Sequence, residues 1–382
     1  MWALVHPHDR AGVEEYLEKS PNDHLRVTFV PETGAGPELW GHFEYTRYVL
    51  WQRSALGYAV RLHRDQVFDV VHHVSWGTVS SAPSLWKLGA PFVWGPLGGG
   101  QASPRAFRGY YGRAWAREIV RNARLRALPY LHAPRAAARR CAAALATNHE
   151  TADLLRRLGA RDVTLFLDSG VRSGDFPTAP PQRKANPELR LLWAGALVPR
   201  KALTLALDSL SLLEDLPWRL SVAGDGPMRQ RWEERAAELG LTARVEFLGS
   251  VGWDRMPALY RDSDVFLFTS LRDAFGGVML EAMTQGLPVV TLDHQGARAF
   301  VPAEASIKVP VTTPEQTAQA LATAIRGLYD SPERRLKMGE AAWQLAKTQT
   351  WDRRAARMTE IYERVVQESQ ASKKPSRADL GD

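Results

Sequence analysis

Residues 265–286 read VFLFTSLRDAFGGVMLEAMTQG, an apolar run, a loop and an amphipathic stretch that ends at Gly286. The run is short and β-rich, and the stretch after the loop has apolar residues at helical spacing, so the order predicts strand, loop and helix. In open α/β sheets, ligands bind at the carboxyl ends of the strands, next to the helix N-termini. The loop is therefore a candidate ligand site.

Short β-rich runs and helical patterns alternate along most of the chain. The β-rich runs are FDVVHHV, APFVWG, ALATN, LRLLWAG, WRLSVAG, RVEFLG and LPVVTLD, and stretches such as LTLALDSLSLLEDL lie between them. This alternation predicts parallel sheets that are covered by helices on both faces. The expected fold is α/β, with two doubly wound domains and a cleft between them.

A loop with four prolines divides the two expected domains. Its composition is typical of a linker. We expect a first domain at 1–172, the linker at 173–187 and a second domain at 188–349. An amphipathic helix at 350–367 and a flexible tail at 368–382 complete the expected organisation.

Composition restricts the class of protein. The chain has 382 residues, is 45% apolar and contains one cysteine, which excludes a disulfide framework and a Cys-based zinc site. No apolar run approaches the length of a membrane span, and MWALVHPHDR lacks the apolar core of a signal peptide. These features predict a cytoplasmic protein.

The net charge of +7 is concentrated in one segment, residues 105–140, which hold ten Arg and a single acid, Glu118. One helical face is expected to carry Arg113, Arg117, Arg121 and Arg124, with Trp115, Ile119, Val120 and Ala123 beside it. Such a helix can bind an anionic membrane surface, here the inner face of the plasma membrane. Alternatively, it covers the sheet of the first domain with solvated Arg outside. No nucleic-acid partner is expected, because no recognition motif accompanies the patch.

The opening stretch has the chemistry of a nucleotide-sugar site. Gly276 and Gly277 allow backbone N–H groups to approach a phosphate at a helix N-terminus. Glu281, about one turn into the helix, can accept bonds from the two hydroxyls of a ribose. Asp273 in the loop can accept from the hydroxyls of a second sugar beyond the phosphates.

A basic pair occurs in a second predicted strand, loop and helix. Arg200 and Lys201 lie at the expected start of a helix, where positive charge is unfavourable unless an anion is bound. The alternative is solvated surface charge. A third motif, Asp262-Ser-Asp264, looks like a metal-binding DxD pattern, but it precedes the strand as a helix-to-strand turn, so no metal is expected there.

At these residues the sequence resembles the retaining glycosyltransferases of the GT-B fold, most closely glycosyltransferase family 4. The match is DAFGGVMLEAM, from Asp273 to Met283, with Asp where the family usually has the first Glu of its acid-x7-acid signature. The order of SVAGDGP, VEFLGSV and GLPVV also matches, over roughly residues 186–350. FDVVHHV and PFVWGPLGGG continue the likeness more loosely.

The resemblance implies a GT-B fold of two Rossmann-like domains, with retaining, metal-independent transfer of a hexosyl-type sugar. The donor would be a UDP- or GDP-linked sugar, with no cofactor, and the acceptor a hydroxyl of a glycan, a lipid-linked sugar or a small molecule in cell-surface polysaccharide or glycoconjugate synthesis. The implied catalytic residues are Asp273, Arg200 and Lys201. The implied donor-binding residues are Glu281, Phe275, Gly276, Gly277, Val278, Gly195, Gly249 and Val251. The acceptor-side candidates are His72, His73, Gly98, Gly99 and Gly100.

The sequence departs from the family pattern in three places. Ala196 replaces a frequent Arg after Gly195, and the usual first-domain His near the reacting sugar is missing, which leaves His72 or His73 as substitutes. The first 20 residues resemble the second strand and helix of the family's first domain. We expect that Met1 is a misplaced start, or else that Gly98–Gly100 replaces the missing Gly-rich turn.

Two other functions remain open at this point. One is a different GT-B chemistry, such as a sugar-nucleotide epimerase or a phosphorylase, although nothing marks the cofactor lysine of a phosphorylase. The other is an inactive relative that serves as a binding or scaffold partner.

Overall fold

The computed structural model describes residues 1–32, 44–181 and 186–373. Part of the predicted linker and most of the predicted tail lie outside these residues. The strands are β1 (Trp2–Val5), β2 (Arg26–Phe29), β3 (Val71–His73), β4 (Phe92–Leu97), β5 (Cys141–Ala146), β6 (Val163–Leu165), β7 (Leu189–Ala194), β8 (Trp218–Ala223), β9 (Val245–Gly249), β10 (Val265–Phe268), β11 (Val289–Leu292) and β12 (Ser306–Val309).

The helices follow the strands in alternation, as predicted. They are α1 (Arg10–Lys19), α2 (Glu44–Asp65), α3 (Arg108–Tyr111), α4 (Trp115–Ala127), α5 (His132–Arg140), α6 (His149–Leu158), α7 (Leu203–Leu210), α8 (Arg229–Glu238), α9 (Met256–Asp262), α10 (Val278–Thr284), α11 (Gln295–Phe300), α12 (Pro314–Tyr329), α13 (Pro332–Lys347) and α14 (Trp351–Lys373).

The second half of the chain forms one parallel sheet with strand order β12-β11-β10-β7-β8-β9. Leu191 and Trp193 of β7 belong to one apolar core, whereas Leu192 and Ala194 belong to the core on the other face. Successive side chains of a strand point to opposite faces, so the apolar run LLWA at residues 191–194 fits a strand that is buried on both sides. The carboxyl ends of these strands carry the loops of the candidate site.

The first half of the chain contains two separate parallel sheets, β1-β2 and β3-β4-β5-β6. The expected doubly wound domain is therefore present as two sheets with α2 packed beside both. A cavity lies between β1 and β3. The first 20 residues do form a strand and a helix, β1 and α1, as the sequence indicated.

The terminal helix α14 returns to the first half of the chain. Ile361 and Val365 pack in one core with Val93 and Leu145, and Arg364 Nη2 lies 2.6 Å from a carboxylate oxygen of Asp162. The helix was expected to end at residue 367 but continues to Lys373. Good helix formers continue past residue 367, so propensity favours the extension.

Candidate functional site

The loops after β7 and β10 bring Arg200 and Lys201 onto Asp273. The Lys201 ammonium forms an ion pair with Asp273 Oδ2, and Arg200 Nη1 lies 3.3 Å from the same oxygen. The hydroxyl of Ser270 donates to this oxygen as well, at 3.3 Å. The structure thus groups the three residues that were predicted to be catalytic.

The basic pair lies in a 3-10 turn, Pro199–Lys201, one residue before α7, and not in the helix itself. Backbone contacts tie this turn to the end of β10. The Leu271 N–H donates to the Arg200 carbonyl at 2.8 Å, and the Thr269 hydroxyl lies 3.0 Å from the Ala202 carbonyl. These bonds hold the cations at a fixed place beside Asp273.

Burial and charge act in opposite directions on the ion pair. Burial lowers the pKa of the Lys201 ammonium, and Asp273 opposes part of that effect. Burial alone would raise the pKa of Asp273, but Lys201 and Arg200 outweigh it and hold that pKa below its usual range. Asp273 is therefore ionised at neutral pH, and the cluster has two basic groups for one acid. Such a cluster can accept a further anion.

Close backbone packing surrounds the cations. Gly195 lies beside Lys201, since a Cβ atom there would be 3.8 Å from Lys201 Cε. Gly276 has a φ of +101°, and a Cβ atom there would overlap the ring of Phe268. The same ring lies 5.1 Å below Lys201 Nζ. The Phe268 ring therefore contacts both the turn at Gly276 and the ammonium of Lys201. Gly195 and Gly276 both have backbone conformations that favour glycine.

The second acid of the motif, Glu281, lies in the first turn of α10 as predicted. The hydroxyl of Tyr260 donates to Glu281 Oε2 at 3.0 Å. Burial raises the pKa of Glu281, and the bond from Tyr260 lowers it in part. Glu281 therefore contacts α9, whereas Asp273 contacts the cations.

The remaining predicted donor residues lie on neighbouring loops. Phe275 is 2% exposed, and its ring packs on Phe300 with centroids 6.0 Å apart, so its side chain belongs to the core. Val278 opens α10. Gly249 ends β9 with a φ of +71°, and its carbonyl accepts from the Gly224 N–H at 2.8 Å. Val251 packs against the core below this loop.

A Gly-rich loop from the first half of the chain packs against the Asp273 loop. A Cβ atom at Gly98 would lie 2.9 Å from Ala274 Cβ, and Asn148 Nδ2 donates to the Ala274 carbonyl at 3.2 Å. Gly99 and Gly100 follow, with the Gly100 N–H 3.1 Å from the Thr151 hydroxyl. Of the three predicted acceptor-side glycines, Gly98 thus packs directly against Ala274, the residue after Asp273.

The two halves are also joined through Gln295. Its amide oxygen accepts from the Asp273 N–H at 2.8 Å, and its amide nitrogen donates to the Ala102 carbonyl at 3.3 Å. Asp273 therefore lies where the two halves of the chain meet.

Residues 177–344 match the family model for glycosyl transferases group 1. The matched segment contains Arg200, Lys201, Asp273 and Glu281. Over 145 residues the chain is 31% identical to a D-inositol 3-phosphate glycosyltransferase of Corynebacterium glutamicum, covering 38% of this chain and 34% of the relative. Over 222 residues it is 28% identical to the GPI3 subunit of the phosphatidylinositol N-acetylglucosaminyltransferase of Saccharomyces cerevisiae, covering 56% of this chain and 48% of the relative. The chain thus spans about a third to a half of the length of these curated relatives.

Solved structures extend the likeness to the whole fold. Anabaena HepE in complex with UDP matches with a TM-score of 0.62 at 17% identity, over 92% of this chain and 89% of that one. A sucrose-phosphate synthase from Thermosynechococcus elongatus matches with a TM-score of 0.63 at 18% identity, over 90% and 84%. The chain therefore has the GT-B fold, and the predicted fold class is confirmed.

The two predicted histidines lie away from the Asp273 cluster, within the first half of the chain. His72 Nδ1 lies 2.6 Å from the Tyr362 hydroxyl, and His73 Nε2 lies 3.0 Å from the Tyr48 hydroxyl. Burial lowers the pKa of each to about 4. Both are packed beside the cavity between β1 and β3, and their acceptor-side role stays a prediction.

The predicted Arg face of α4 is wrong at Arg121. That guanidinium points inward and donates to the carbonyls of Gln101 and Gly99, both at 2.8 Å. Arg117 and Arg124 are exposed, as expected. The spacing of the Arg residues did not distinguish a solvated cation from one that holds the Gly-rich loop.

Sequence reasoning also missed an ion pair between the two halves. Glu118 is 6% exposed and pairs with Arg272, the residue before Asp273, at 2.8 and 2.9 Å. The Ser103 hydroxyl donates to the same carboxylate at 2.9 Å. A signal was present, since Glu118 is the single acid among ten Arg in residues 105–140. An isolated acid in a basic segment indicates a specific partner.

The DxD-like motif has a structural role. Asp264 accepts from the Arg190 guanidinium at 3.0 and 3.1 Å and from the Arg190 N–H at 2.9 Å. Within residues 1–32, 44–181 and 186–373, no three His, Cys, Asp or Glu side chains come together as a metal-binding group. Among the helices that the structure describes, none combines the length and apolar character needed to cross a bilayer.

Proposed function

We propose that this protein is a retaining glycosyltransferase of family 4, which transfers a sugar from a UDP- or GDP-linked donor to a hydroxyl acceptor. The observation that carries the proposal is the convergence of Lys201, Arg200 and Asp273 beside the bare turn at Gly276. Two cations next to open backbone N–H groups favour a diphosphate, and carboxylates on either side favour sugar hydroxyls. The group 1 domain match and the UDP bound to Anabaena HepE support the choice of donor.

In this proposal, Arg200 and Lys201 neutralise the charge that develops on the departing diphosphate. Preorganised cations in a site closed to water stabilise such a leaving group strongly. Asp273 then exchanges its contact with Lys201 for the hydroxyls of the transferred sugar, and Glu281 holds the ribose. The acceptor hydroxyl attacks on the face from which the diphosphate departs, and the diphosphate takes its proton.

The first experiment is a thermal-shift series with UDP, GDP, UDP-glucose and GDP-mannose. A bound nucleotide raises Tm by mass action. We expect either the uridine or the guanosine nucleotides to raise the Tm of the parent protein. They should also raise that of Asp273→Asn, because this variant keeps Arg200 and Lys201. Lys201→Met should lose that shift. Equal shifts for parent and Lys201→Met would contradict the proposed diphosphate site.

The second experiment is transfer of a radiolabelled sugar, with the anomeric configuration of the product read by NMR. We expect retention of configuration and unchanged activity after EDTA treatment. Asp273→Asn should lose transfer while it keeps nucleotide binding. An inactive scaffold protein would show neither donor hydrolysis nor transfer, and an epimerase would change the donor without an acceptor.

The acceptor in this proposal is a lipid-linked sugar at an anionic membrane surface, in glycoconjugate or cell-surface polysaccharide synthesis. Ile119 and Val120 on α4 are 55% and 52% exposed, and Tyr130 and Leu131 just after it are 84% and 50% exposed. They lie within the segment of ten Arg. Apolar side chains surrounded by cations suit the interface of an anionic bilayer.

Vesicle sedimentation tests the membrane part separately. Arg117→Glu/Arg124→Glu should reduce binding to vesicles of phosphatidylglycerol and phosphatidylcholine, because both side chains are exposed. Arg334→Glu/Lys337→Glu on α13 makes the same change in net charge at another exposed place and should bind like the parent. Equal binding by all three proteins would contradict the proposed membrane surface on α4. It would not bear on the proposed transfer reaction.

A further inference from the structure

Gln295 is a buried amide side chain in the second half of the chain that the proposed reaction does not use. It follows β11, opens α11 and is 5% exposed. Its amide oxygen accepts from the Asp273 N–H at 2.8 Å, and its amide nitrogen donates to the carbonyls of Leu271 and Ala102 at 3.2 and 3.3 Å. A primary amide has two N–H groups, so both of them have a partner here.

The three partners of Gln295 determine which side chain fits this position. They are one N–H group and two carbonyls, so they need one acceptor and two donors on a single side chain. A primary amide supplies both, whereas a carboxylate has no donor and a hydroxyl has one. A buried carbonyl that loses its donor is costly. The position is therefore specified by hydrogen bonding and not by volume alone.

The backbone of Gln295 has an unfavourable conformation next to the Asp273 loop. Its φ is +52°, in the left-handed region that residues other than glycine, Asn and Asp rarely adopt. A Cβ atom at the next residue, Gly296, would overlap the carbonyl of Ala274. Strained backbone of this kind persists where the surrounding contacts fix it, and it is concentrated at functional sites. Asn or glycine would suit this φ better, but neither has the reach of Gln.

The Ala102 carbonyl belongs to a loop of the first half that is held in place by its own contacts. Arg121 donates to the carbonyls of Gly99 and Gln101, both at 2.8 Å. The Gln101 side chain accepts from the Gly99 N–H at 2.8 Å. This loop therefore gives Gln295 a fixed point of attachment on the first half.

Gln295 and the cations hold different parts of Asp273. Lys201 and Arg200 contact the carboxylate oxygen Oδ2, whereas Gln295 contacts the Asp273 N–H and the Leu271 carbonyl, on either side of residue 272. In the proposed reaction the carboxylate leaves Lys201 for the hydroxyls of the transferred sugar. The backbone must keep its place during that exchange, and Gln295 is bonded to it.

We propose that Gln295 is a positioning residue, which fixes the Asp273 backbone against the first half so that the carboxylate meets the transferred sugar. The inference rests on the proposed transfer reaction, because Asp273 contacts the sugar only there. Gln295 acts through Asp273 and through the Ala102 carbonyl, so the donor-sugar site depends on a loop of the other half of the chain.

The first measurement is donor hydrolysis by Gln295→Asn and Gln295→Gly, which needs no acceptor. Both replacements tolerate a left-handed backbone and lose the reach of the Gln amide. We expect kcat to fall by about 100-fold, the effect of misplacing a reacting group by about 1 Å. The Kd of UDP or GDP, whichever the parent protein binds, should stay close to the parent value, because Arg200 and Lys201 are unchanged.

Gln285→Asn is the matched control. Gln285 lies directly after α10, is 3% exposed, and donates from its amide nitrogen to the Asp175 carbonyl at 3.2 Å. The change also shortens a buried amide by one methylene, but away from the Asp273 loop. It should therefore keep the parent kcat, even where it lowers Tm.

The second measurement needs no donor. Hydrogen–deuterium exchange, read by mass spectrometry, should be faster at residues 271–275 in Gln295→Asn and Gln295→Gly than in the parent. Gln285→Asn should exchange like the parent in this segment. Circular dichroism checks that each variant folds, and Gln295→Gly decides the question if Gln295→Asn does not fold.

Three results would overturn the proposal. One is an unchanged kcat in both Gln295 variants, and another is unchanged exchange at residues 271–275. The third is a loss of nucleotide affinity as large as the loss of kcat, because Gln295 would then support the whole site and not the position of Asp273. A parent protein that hydrolyses no nucleotide-sugar would instead contradict the proposed transferase, and the exchange at residues 271–275 would still decide whether Gln295 holds the loop.

Discussion

The ion pair between Glu118 and Arg272 joins the two halves of the chain directly beside Asp273. We expect Glu118→Gln to be strongly destabilising, although the amide has the same shape and can still accept from Ser103. The change removes the charge that compensates Arg272, whose two bonds to the carboxylate measure 2.8 and 2.9 Å. The Arg272 guanidinium would remain between the domains without an ionic partner.

The magnitude follows from burial. Removing one partner of a buried ion pair costs about 3–5 kcal/mol, because an uncompensated charge is left in the protein. The Glu118 side chain is 9% exposed, but that of Arg272 is 20% exposed, so water can solvate Arg272 in part. We therefore expect the free energy of unfolding to fall by about 2–3 kcal/mol, at or just below the lower end of that range. This corresponds to a factor of about 30–150 in the unfolding equilibrium.

The assay is urea unfolding of the parent, Glu118→Gln, Arg272→Met and the double variant, followed by fluorescence and by circular dichroism. Two probes are needed because a two-domain chain need not unfold in one step. The double variant should be more stable than the sum of the single losses predicts, since it removes both charges. Asp215→Asn is the matched control, because its exposed pair with Arg326 has similar bonds of 2.7 and 2.8 Å and should contribute far less.

A loss of stability for Glu118→Gln no greater than that for Asp215→Asn would show that the buried pair contributes no more than an exposed one. Strict additivity of Glu118→Gln and Arg272→Met would contradict the prediction as well, because the two charges would then not interact. A further measurement is nucleotide binding, because the proposed site depends on the position of the Asp273 loop. Glu118→Gln should weaken it through Arg272, without contact between Glu118 and the nucleotide.

Three further predictions concern Gly276, the two buried histidines and Tyr260. Gly276→Ala should lower stability by about 1–3 kcal/mol in chemical unfolding, because its φ of +101° and the Phe268 ring both exclude a Cβ atom. Gly277→Ala, with a φ of −52° and 3.5 Å to Ser169, is the control and should be nearly neutral. The pKa of His72 and of His73 is lowered from 6.5 to about 4, so the unfolded chain binds more protons between these values and stability should fall as pH drops from 6.5 to 4. His72→Asn/His73→Asn should flatten that slope in a Tm series, and an unchanged slope would contradict it. Tyr260→Phe removes the bond that lowers the pKa of Glu281. The loss of UDP or GDP affinity at low pH should therefore begin at a higher pH, as measured by calorimetric titration. An unchanged pH dependence would show that Glu281 does not bind the nucleotide.

The strand and helix pattern of the second half was predictable because its central strands are buried on both faces. LLWA in β7 and VFLF in β10 are continuous apolar runs, and both lie in central strands of the sheet. The short strands β2, β6 and β12 were not predicted, because three or four residues with partly exposed side chains give little periodic signal. The two-sheet arrangement of the first half also needed the structure, since pairing depends on distant residues.

The candidate site was predictable only where one motif contained it. Asp273, Gly276 and Glu281 lie within nine residues, and a strand, loop and helix pattern places them together. Asn148, which donates to the Ala274 carbonyl, and Gln295, which accepts from the Asp273 N–H, are more than 20 residues away from this loop in sequence and belong to no motif. Their contribution depends on how two sheets approach each other, which no local pattern encodes.

Helix α4 has Glu118 on one side and the solvent-facing Ile119 and Val120 on the other. A rotation of this helix by a fraction of a turn would exchange which of these side chains faces the Arg272 loop. A partner that binds the outer side of α4 is therefore connected to the backbone of Asp273 through the ion pair of Glu118 with Arg272.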